Sequence, residues 1–232
     1  MSVRRRERMS NRVERPGVRE GYDRWSDTYD ATPNPLVSLD RRHTLQALDP
    51  RPGEWILDAG CGTGAHLESL CSARSRPIGL DFSLGMLRIA QRAAPQAGLV
   101  QSDLNCEFPV RRGAFDALLS ALVSEHLGEL GHFFTEAFAA LRRGGRLVFS
   151  AFHPELALGG VEANFERDGI EYRLGAERYT VDDYLGQISD AGFTRLACHE
   201  YIVDERTLEE VPWATKYLGR PLLLLIRAER AA

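Results

Sequence analysis

The sequence predicts an α/β fold, with a mostly parallel sheet that is covered by helices on both faces. Short apolar segments typical of buried strands alternate with helical segments from about residue 54 to residue 152. The first apolar segment runs directly into an acidic residue and three alternate glycines, which indicates a strand, a tight turn and the start of a helix. Both observations are typical of doubly wound sheets that bind ligands at the carboxyl ends of their strands.

The turn at residues 58–64 reads Asp-Ala-Gly-Cys-Gly-Thr-Gly. Its glycines can adopt backbone angles that are closed to other residues, and without side chains they let a ligand approach the main chain. The spacing differs from the Gly-x-Gly-x-x-Gly pattern that places a pyrophosphate on a helix N-terminus, so a nicotinamide cofactor is not expected. Asp58, immediately before the turn, would repel a phosphate and attract an ammonium or sulfonium group.

Two further predicted strands also end in carboxylates. The segment 76–81 ends in Asp81, about 20 residues after the glycines, where an acidic residue can accept hydrogen bonds from both hydroxyls of a ribose. The segment 98–104 carries Asp103 at the end of a third strand. Each aspartate alone could be a helix N-cap or a turn residue, but three at successive strand ends favour a ligand site.

These motifs and their order resemble the class I S-adenosylmethionine (SAM)-dependent methyltransferases, and the resemblance extends from about Gly21 to the C-terminus. It points to the small-molecule branch, methyltransferase type 11, which includes enzymes of ubiquinone and menaquinone biosynthesis. The resemblance implies a Rossmann-like, doubly wound sheet of seven strands, with a small cap inserted after the fifth strand. It also implies SAM as the cofactor and S-adenosylhomocysteine (SAH) as its product.

The resemblance further implies which residues hold the cofactor. The glycine turn would line its methionine end, Asp81 would hold the ribose, and Asp103 with the backbone of Leu104 would meet the adenine. The tyrosines of segment 21–30 match an N-terminal lid helix of that branch. The expected cofactor residues are Tyr22, Tyr29, Asp58, Ala59, Gly60, Gly62, Gly64, Asp81, Phe82, Met86, Asp103, Leu104 and Ala121.

The aromatic residues of the predicted lid helix leave two interpretations open. Tyr22, Trp25 and Tyr29 are spaced at i, i+3 and i+7, so they share one helical face. That spacing fits packing against a neighbouring element as well as contact with a cofactor.

Two histidines are the candidates for proton removal. Methyl transfer from a sulfonium is a direct displacement, in which the protein aligns the nucleophile and, where needed, removes a proton. His126 follows the predicted fourth strand and His153 the fifth, so both are expected at the carboxyl rim, and a pKa of about 6.5 suits a base near neutral pH. Either imidazole could instead hydrogen-bond the backbone at its strand end. Glu125 and Tyr172 are weaker candidates.

Composition limits the class of partner. The net charge is −4 and no basic and aromatic cluster is present, so nucleic acid is not expected. No apolar run approaches the roughly 20 residues of a membrane span. The four cysteines form no C-x-x-C pair and no signal peptide precedes them, so we expect reduced thiols in a cytoplasm and no metal site. We expect a monomer or homodimer that acts on a small molecule.

The chain is expected to divide into an arm and one domain. Residues 1–18 are Arg-rich without an apolar stripe and should form a mobile arm, while residues 19–232 should form a single methyltransferase domain. The regular alternation lapses at residues 155–179, which should form the cap, with Asp168 and Gly169 in a hairpin turn. A single short helix is expected at residues 207–217.

Two other classes of function remain compatible with the sequence. A protein of this fold could bind SAM and catalyse a pericyclic or decarboxylative step, or it could be a non-catalytic assembly factor that retains the pocket. The intact glycine turn argues against a decayed site, because a protein released from cofactor binding would not need three small residues there.

Overall fold

The computed structural model describes residues 12–232. Its strands are β1 (Arg12–Glu14), β2 (Trp55–Ala59), β3 (Arg76–Asp81), β4 (Gly98–Gln101), β5 (Phe115–Ala121), β6 (Leu141–Phe152), β7 (Asn164–Arg167), β8 (Ile170–Arg173), β9 (Thr194–Ile202) and β10 (Pro221–Glu229). Its α-helices are α1 (Val18–Trp25), α2 (Pro35–Leu48), α3 (Ala65–Ser72), α4 (Leu84–Ala93), α5 (Leu130–Ala140), α6 (Pro154–Leu158), α7 (Val181–Asp190) and α8 (Glu205–Glu210). Short 3-10 segments are Ser26–Ala31, Ser124–His126 and Pro212–Tyr217.

The central sheet has seven strands in the order β4-β3-β2-β5-β6-β10-β9. Its neighbours pair in parallel except at β10, which is antiparallel to both β6 and β9. The predicted doubly wound α/β fold is therefore confirmed. The strand order reverses between β2 and β5, and a crevice forms at such a switch point because the flanking connections leave the sheet in opposite directions.

Packing on both faces explains the long apolar segments. Residues 222–226 of β10 are all buried, as expected for a strand that is covered on two sides. On one face the aromatic rings of Phe133 and Phe134 in α5 pack against Phe149 of β6, with ring centroids 6.0 and 5.0 Å away. These contacts pack α5 closely against β6. Close packing of this kind keeps the strand ends in fixed positions around the crevice.

Side-chain caps begin α4 and α7 where the sequence predicts them. Ser83 Oγ accepts a hydrogen bond from Met86 N at 3.1 Å and so starts α4 directly after Asp81. Thr180 and Asp183 form the predicted capping box of α7. Helix α4 thus starts immediately after the β3 carboxylate, at the crevice.

The cap is completed by residues from the other end of the chain. Strands β7 and β8 form the predicted hairpin, and β1 pairs in parallel with β8. Residues 12–18 therefore do not belong to a mobile arm: Arg12–Glu14 forms a strand and α1 begins at Val18. The sequence missed this because a three-residue strand carries no hydrophobic pattern of its own. The rest of the predicted arm lies outside the described residues.

Two element boundaries differ from the sequence prediction. Strand β4 ends at Gln101, because Asp103 Oδ1 accepts a hydrogen bond from Asn105 N at 2.9 Å and turns the chain. The helix expected at residues 207–217 is split at Pro212, which lacks an N–H and starts a 3-10 segment after α8.

We expect Gly64→Ala to destabilise the protein more than Gly53→Ala. Both glycines have positive φ, +88° and +83°, so each alanine incurs a backbone strain of about 1–2 kcal/mol. A Cβ on Gly64 would also lie 2.9 Å from Ala90 Cα in α4, whereas none of the described residues comes within 4 Å of a Cβ on Gly53. The additional loss should be about 1–3 kcal/mol in urea unfolding. Equal losses would mean that α3 and α4 do not need this close approach.

Candidate functional site

A cavity of about 370 Å³ lies at the carboxyl ends of β2, β3 and β5, at the switch point of the sheet. Helices α1 and α2 contribute its opposite wall. Most of the expected site residues line it, although they come from distant parts of the chain. They are Tyr22, Tyr29, Gly60, Gly62, Asp81, Phe82, Met86, Asp103, Leu104, Ala121 and His126.

Four expected site residues lie outside the cavity wall. Asp58 and Ala59 are buried beneath the glycine turn, and Gly64 packs against α4. His153 is buried at the start of α6, where its Nδ1 accepts a hydrogen bond from Glu155 N at 3.4 Å and its Nε2 lies 3.5 Å from Glu200 Oε1. His153 therefore caps a helix, because Pro154 starts α6 immediately after the strand.

The glycine turn is fixed to the neighbouring strand by its backbone. The N–H groups of Gly60 and Cys61 both donate to Leu80 O, at 2.8 and 2.9 Å. A Cβ on Gly60 would lie 2.2 Å from Val123 Cγ1, so the turn and the segment after β5 approach too closely for a side chain. Because these glycines have no side chains, the main chain of the turn borders the cavity directly.

Asp81 is held in one orientation by the backbone. Its Oδ2 accepts from Gly62 N at 2.8 Å and its Oδ1 accepts from Ser83 N at 2.9 Å. Burial raises the pKa of Asp81, while these backbone hydrogen bonds oppose the rise. A carboxylate oxygen accepts more than one hydrogen bond, so both oxygens can still accept from a ligand in the cavity.

Asp58 is a buried carboxyl group whose hydrogen bonding is incomplete. Both of its oxygens are buried without a hydrogen-bond partner among residues 12–232. Burial raises the pKa of Asp58 to about 7, and the nearby imidazole of His66 opposes this rise. A carboxyl group left in this state favours a neighbouring positive charge or its own protonation.

The aromatic residues of α1 and of the 3-10 segment after it contact two different surfaces. Trp25 stacks on Phe165 of the cap hairpin at 4.9 Å and does not border the cavity. Tyr22 and Tyr29 do border it. The packing interpretation therefore applies to Trp25, whereas the two tyrosines border the cavity.

Asp23 fastens this helix to the start of α4, and sequence reasoning missed it. Its Oδ1 accepts from Ser83 Oγ at 2.6 Å and from Gly85 N at 2.8 Å. A Cβ on Gly85 would lie 3.1 Å from Asp23 Cα, so α1 rests directly on the start of α4. An exposed aspartate in a polar helix gives no sequence signal for such a contact.

His126 is nearly enclosed and is held on two sides. Its Nε2 lies 2.9 Å from Tyr22 Oη, and its backbone carbonyl accepts from Asn105 Nδ2 at 3.1 Å. Burial lowers the pKa of His126 to about 4 and raises that of Glu125, whose Oε1 is 3.7 Å from Nε2, to about 7. Near neutral pH His126 is therefore an uncharged imidazole, the form that can accept a proton.

A second polar group in the cavity wall consists of Asp40 and His66. Asp40 Oδ1 accepts from Thr44 Oγ1 at 2.6 Å and from Ser150 Oγ at 2.5 Å, and Oδ2 lies 2.7 Å from His66 Nε2. Sequence reasoning missed this group. One signal was available, because Asp40 and Thr44 fall at i+4 steps between Leu36 and Leu48 on the buried face of α2.

No three histidine, cysteine, aspartate or glutamate side chains among residues 12–232 lie together as metal ligands would. None of the helices there combines the length and apolar character that crossing a membrane requires.

Known proteins resemble the chain in both sequence and fold. A family model for a methyltransferase domain matches residues 57–149. A demethylmenaquinone methyltransferase of Paenarthrobacter aurescens is 31% identical over 172 residues, which cover 66% of this chain and 68% of that protein. Another, of Renibacterium salmoninarum, is 30% identical over 139 residues, 57% of this chain and 58% of that protein.

Among solved structures, a SAM-dependent methyltransferase from Mesorhizobium loti superposes with a TM-score of 0.70 at 23% identity, covering 82% of this chain and 97% of that one. The chain spans about three fifths of the length of several curated relatives, such as the Renibacterium protein. It spans more than two thirds of the Paenarthrobacter protein. With the cavity at the switch point and the glycine turn in its wall, this sequence similarity shows that the chain belongs to the class I SAM-dependent methyltransferases.

Proposed function

We propose that the protein transfers a methyl group from SAM to an oxygen, nitrogen or carbon nucleophile of a small molecule. One observation carries the proposal: a single cavity contains an oriented carboxylate, Asp81, at one side and an uncharged imidazole, His126, at the other. The first suits the ribose of a nucleoside. The second is uncharged near neutral pH and can take a proton from an acceptor, as a weaker base than a free imidazole.

The residues that line the cavity fit the cofactor. The remaining acceptor sites of Asp81 would receive the ribose hydroxyls, and Asp103 with the backbone of Leu104 would meet the adenine beside Phe82 and Met86. The unpaired oxygens of Asp58 beneath the turn favour a cationic methionine end. When bound, SAM supplies a methyl group on a sulfonium, which is already a good leaving group.

In this proposal the protein contributes alignment, exclusion of water and removal of a proton. Tyr22 orients the imidazole of His126 through the contact at Nε2. Helix α1 contributes Val18 and Tyr22 to the cavity wall, and Trp25 joins this helix to the cap hairpin through its stack on Phe165. Alignment of a nucleophile with the methyl group can supply much of the rate enhancement without a covalent intermediate.

The proposal also includes the location, the oligomeric state and the partners of the protein. We infer a cytoplasmic monomer or homodimer with one domain that includes residues 12–232. We also infer that nucleic acid is not a partner, because the net charge is −4 and no basic and aromatic cluster occurs. Both curated relatives described above are demethylmenaquinone methyltransferases, which supports a small organic acceptor. The cavity wall includes apolar residues beside its polar groups, as is usual for small-molecule sites.

We expect the purified protein to bind SAM and SAH with micromolar affinity in calorimetry. Release of SAH on addition of candidate acceptors would then identify the substrate. Binding of neither ligand would contradict the proposal. Binding of SAM without consumption by any acceptor would favour SAM-assisted chemistry of another type or an assembly role.

We expect Asp81→Asn to weaken SAH binding by roughly 10- to 100-fold, because the amide cannot accept from the ribose while also accepting from the N–H groups of Gly62 and Ser83. Asp27→Asn, at an exposed position of the 3-10 segment after α1, is the matched control and should bind as the wild type does. Unchanged affinity in Asp81→Asn would refute the ribose assignment.

We expect His126→Gln to lower turnover of the identified acceptor by about 100-fold or more, because glutamine cannot accept a proton. Since burial lowers the pKa of His126 to about 4, the uncharged base persists as the pH falls, and the wild-type acid limb should lie well below pH 6.5. The exposed His132→Gln serves as the control. A loss of only a few-fold would mean that alignment alone suffices.

A further inference from the structure

The Asp40–His66 pair gives the cavity a polar group that the ribose, adenine and base assignments do not use. Both residues line the cavity, Asp40 from α2 and His66 from the first turn of α3. Both are more than nine-tenths buried. Burying an ionisable pair costs free energy unless each partner is fully hydrogen-bonded, so any atom left without a partner indicates what the site is built to receive.

Asp40 is fully occupied as a positioning group. Its carboxylate accepts from Thr44 and Ser150 and lies 2.7 Å from His66 Nε2, so the imidazole is held in one orientation. Burial alone would lower the pKa of His66, but the charge of Asp40, this hydrogen bond and the charge of the nearby Asp58 raise it. With Nε2–H donating to Asp40, a protonated His66 has one further donor, Nδ1–H.

That second donor has no partner. His66 Nδ1 is buried and finds no acceptor within the described chain. The first turn of α3 has no side-chain acceptor for its N–H groups either, because its N-cap residue is Gly64. A buried cationic donor beside uncapped helix N–H groups is a site for an anion.

The other charged groups around the cavity offer a ligand carboxylate no buried cation besides His66 among the described residues. Asp58 and Asp81 both lie at the glycine turn, and their charges would repel a carboxylate that entered the cavity. The other cationic residue of the wall is Arg41, which is half-exposed and already paired with Asp30 at 3.2 Å. His66 is the cation that is both buried and fixed.

We propose that His66, positioned by Asp40, binds the α-carboxylate of the cofactor's methionine portion through Nδ1–H, together with the first N–H groups of α3. The inference rests on the proposed function, since it needs SAM in the cavity. It makes the Asp40–His66 pair the element that distinguishes SAM from adenosyl compounds without the carboxylate.

The test compares three ligands by calorimetry on the full chain: SAM, decarboxylated SAM, which keeps the ammonium and the sulfonium, and 5′-methylthioadenosine, which lacks the carboxylate, the ammonium and the sulfonium charge. We expect His66→Gln to weaken SAM binding roughly 10- to 100-fold while binding of the other two stays within about threefold of the wild type. Glutamine can still donate to Asp40, so the side-chain contact is retained without the charge. Asp40→Asn should reproduce the selective loss, and retained binding of 5′-methylthioadenosine reports that each variant is folded.

Three results would overturn the inference. If His66→Gln weakened SAM and decarboxylated SAM equally, His66 would act on the ammonium or on the fold. If the selective loss appeared in Arg41→Gln instead, Arg41 would hold the carboxylate. If His66→Gln bound SAM as the wild type does, only this inference would fail, whereas a wild-type protein that bound none of the three ligands would overturn the proposed function with it.

Discussion

The carboxylate of Asp81 is the interaction on which the arrangement of the cavity depends. It joins the glycine turn, through Gly62 N, to the start of α4, through Ser83 N. Ser83 in turn donates to Asp23, which fastens α1 over the cavity, and the adjacent Tyr22 reaches His126 on the far side. One group at a strand end thus links both sides of the switch point through short hydrogen bonds, each of which restricts the next.

Two histidines in the same cavity differ because of their neighbours. His126 lies against a tyrosine and a carboxyl group that is itself driven toward its neutral form, so burial lowers its pKa. His66 lies against Asp40, and the two groups favour each other's charged forms: His66, with hydrogen bonds from Ser150 and Thr44, lowers the pKa of Asp40, and Asp40 raises the pKa of His66. Opposite environments allow one residue type to supply an uncharged acceptor and a cation within a single pocket.

The sequence could predict features whose cause is local. The glycine turn and Asp81 are consequences of a strand that must turn sharply into a helix, and the strand and helix alternation follows from burial on both faces. Asp23 and His66 escaped prediction because their partners, Ser83 and Asp40, are 60 and 26 positions away in the chain and meet them only after packing. His153 follows a strand as His126 does, yet the proline after it starts a helix and gives it a capping role.

The pairing of β1 with β8 has a consequence for how the site is assembled. The hairpin β7–β8 can form as soon as its few residues meet, but its third strand comes from residues 12–14, about 160 positions earlier. Closing so long a segment depends on the central sheet having already brought the two ends together. The sheet of β1, β8 and β7 is therefore expected to be the last part of the fold to form and the first to open, and its opening would leave the seven-stranded sheet intact.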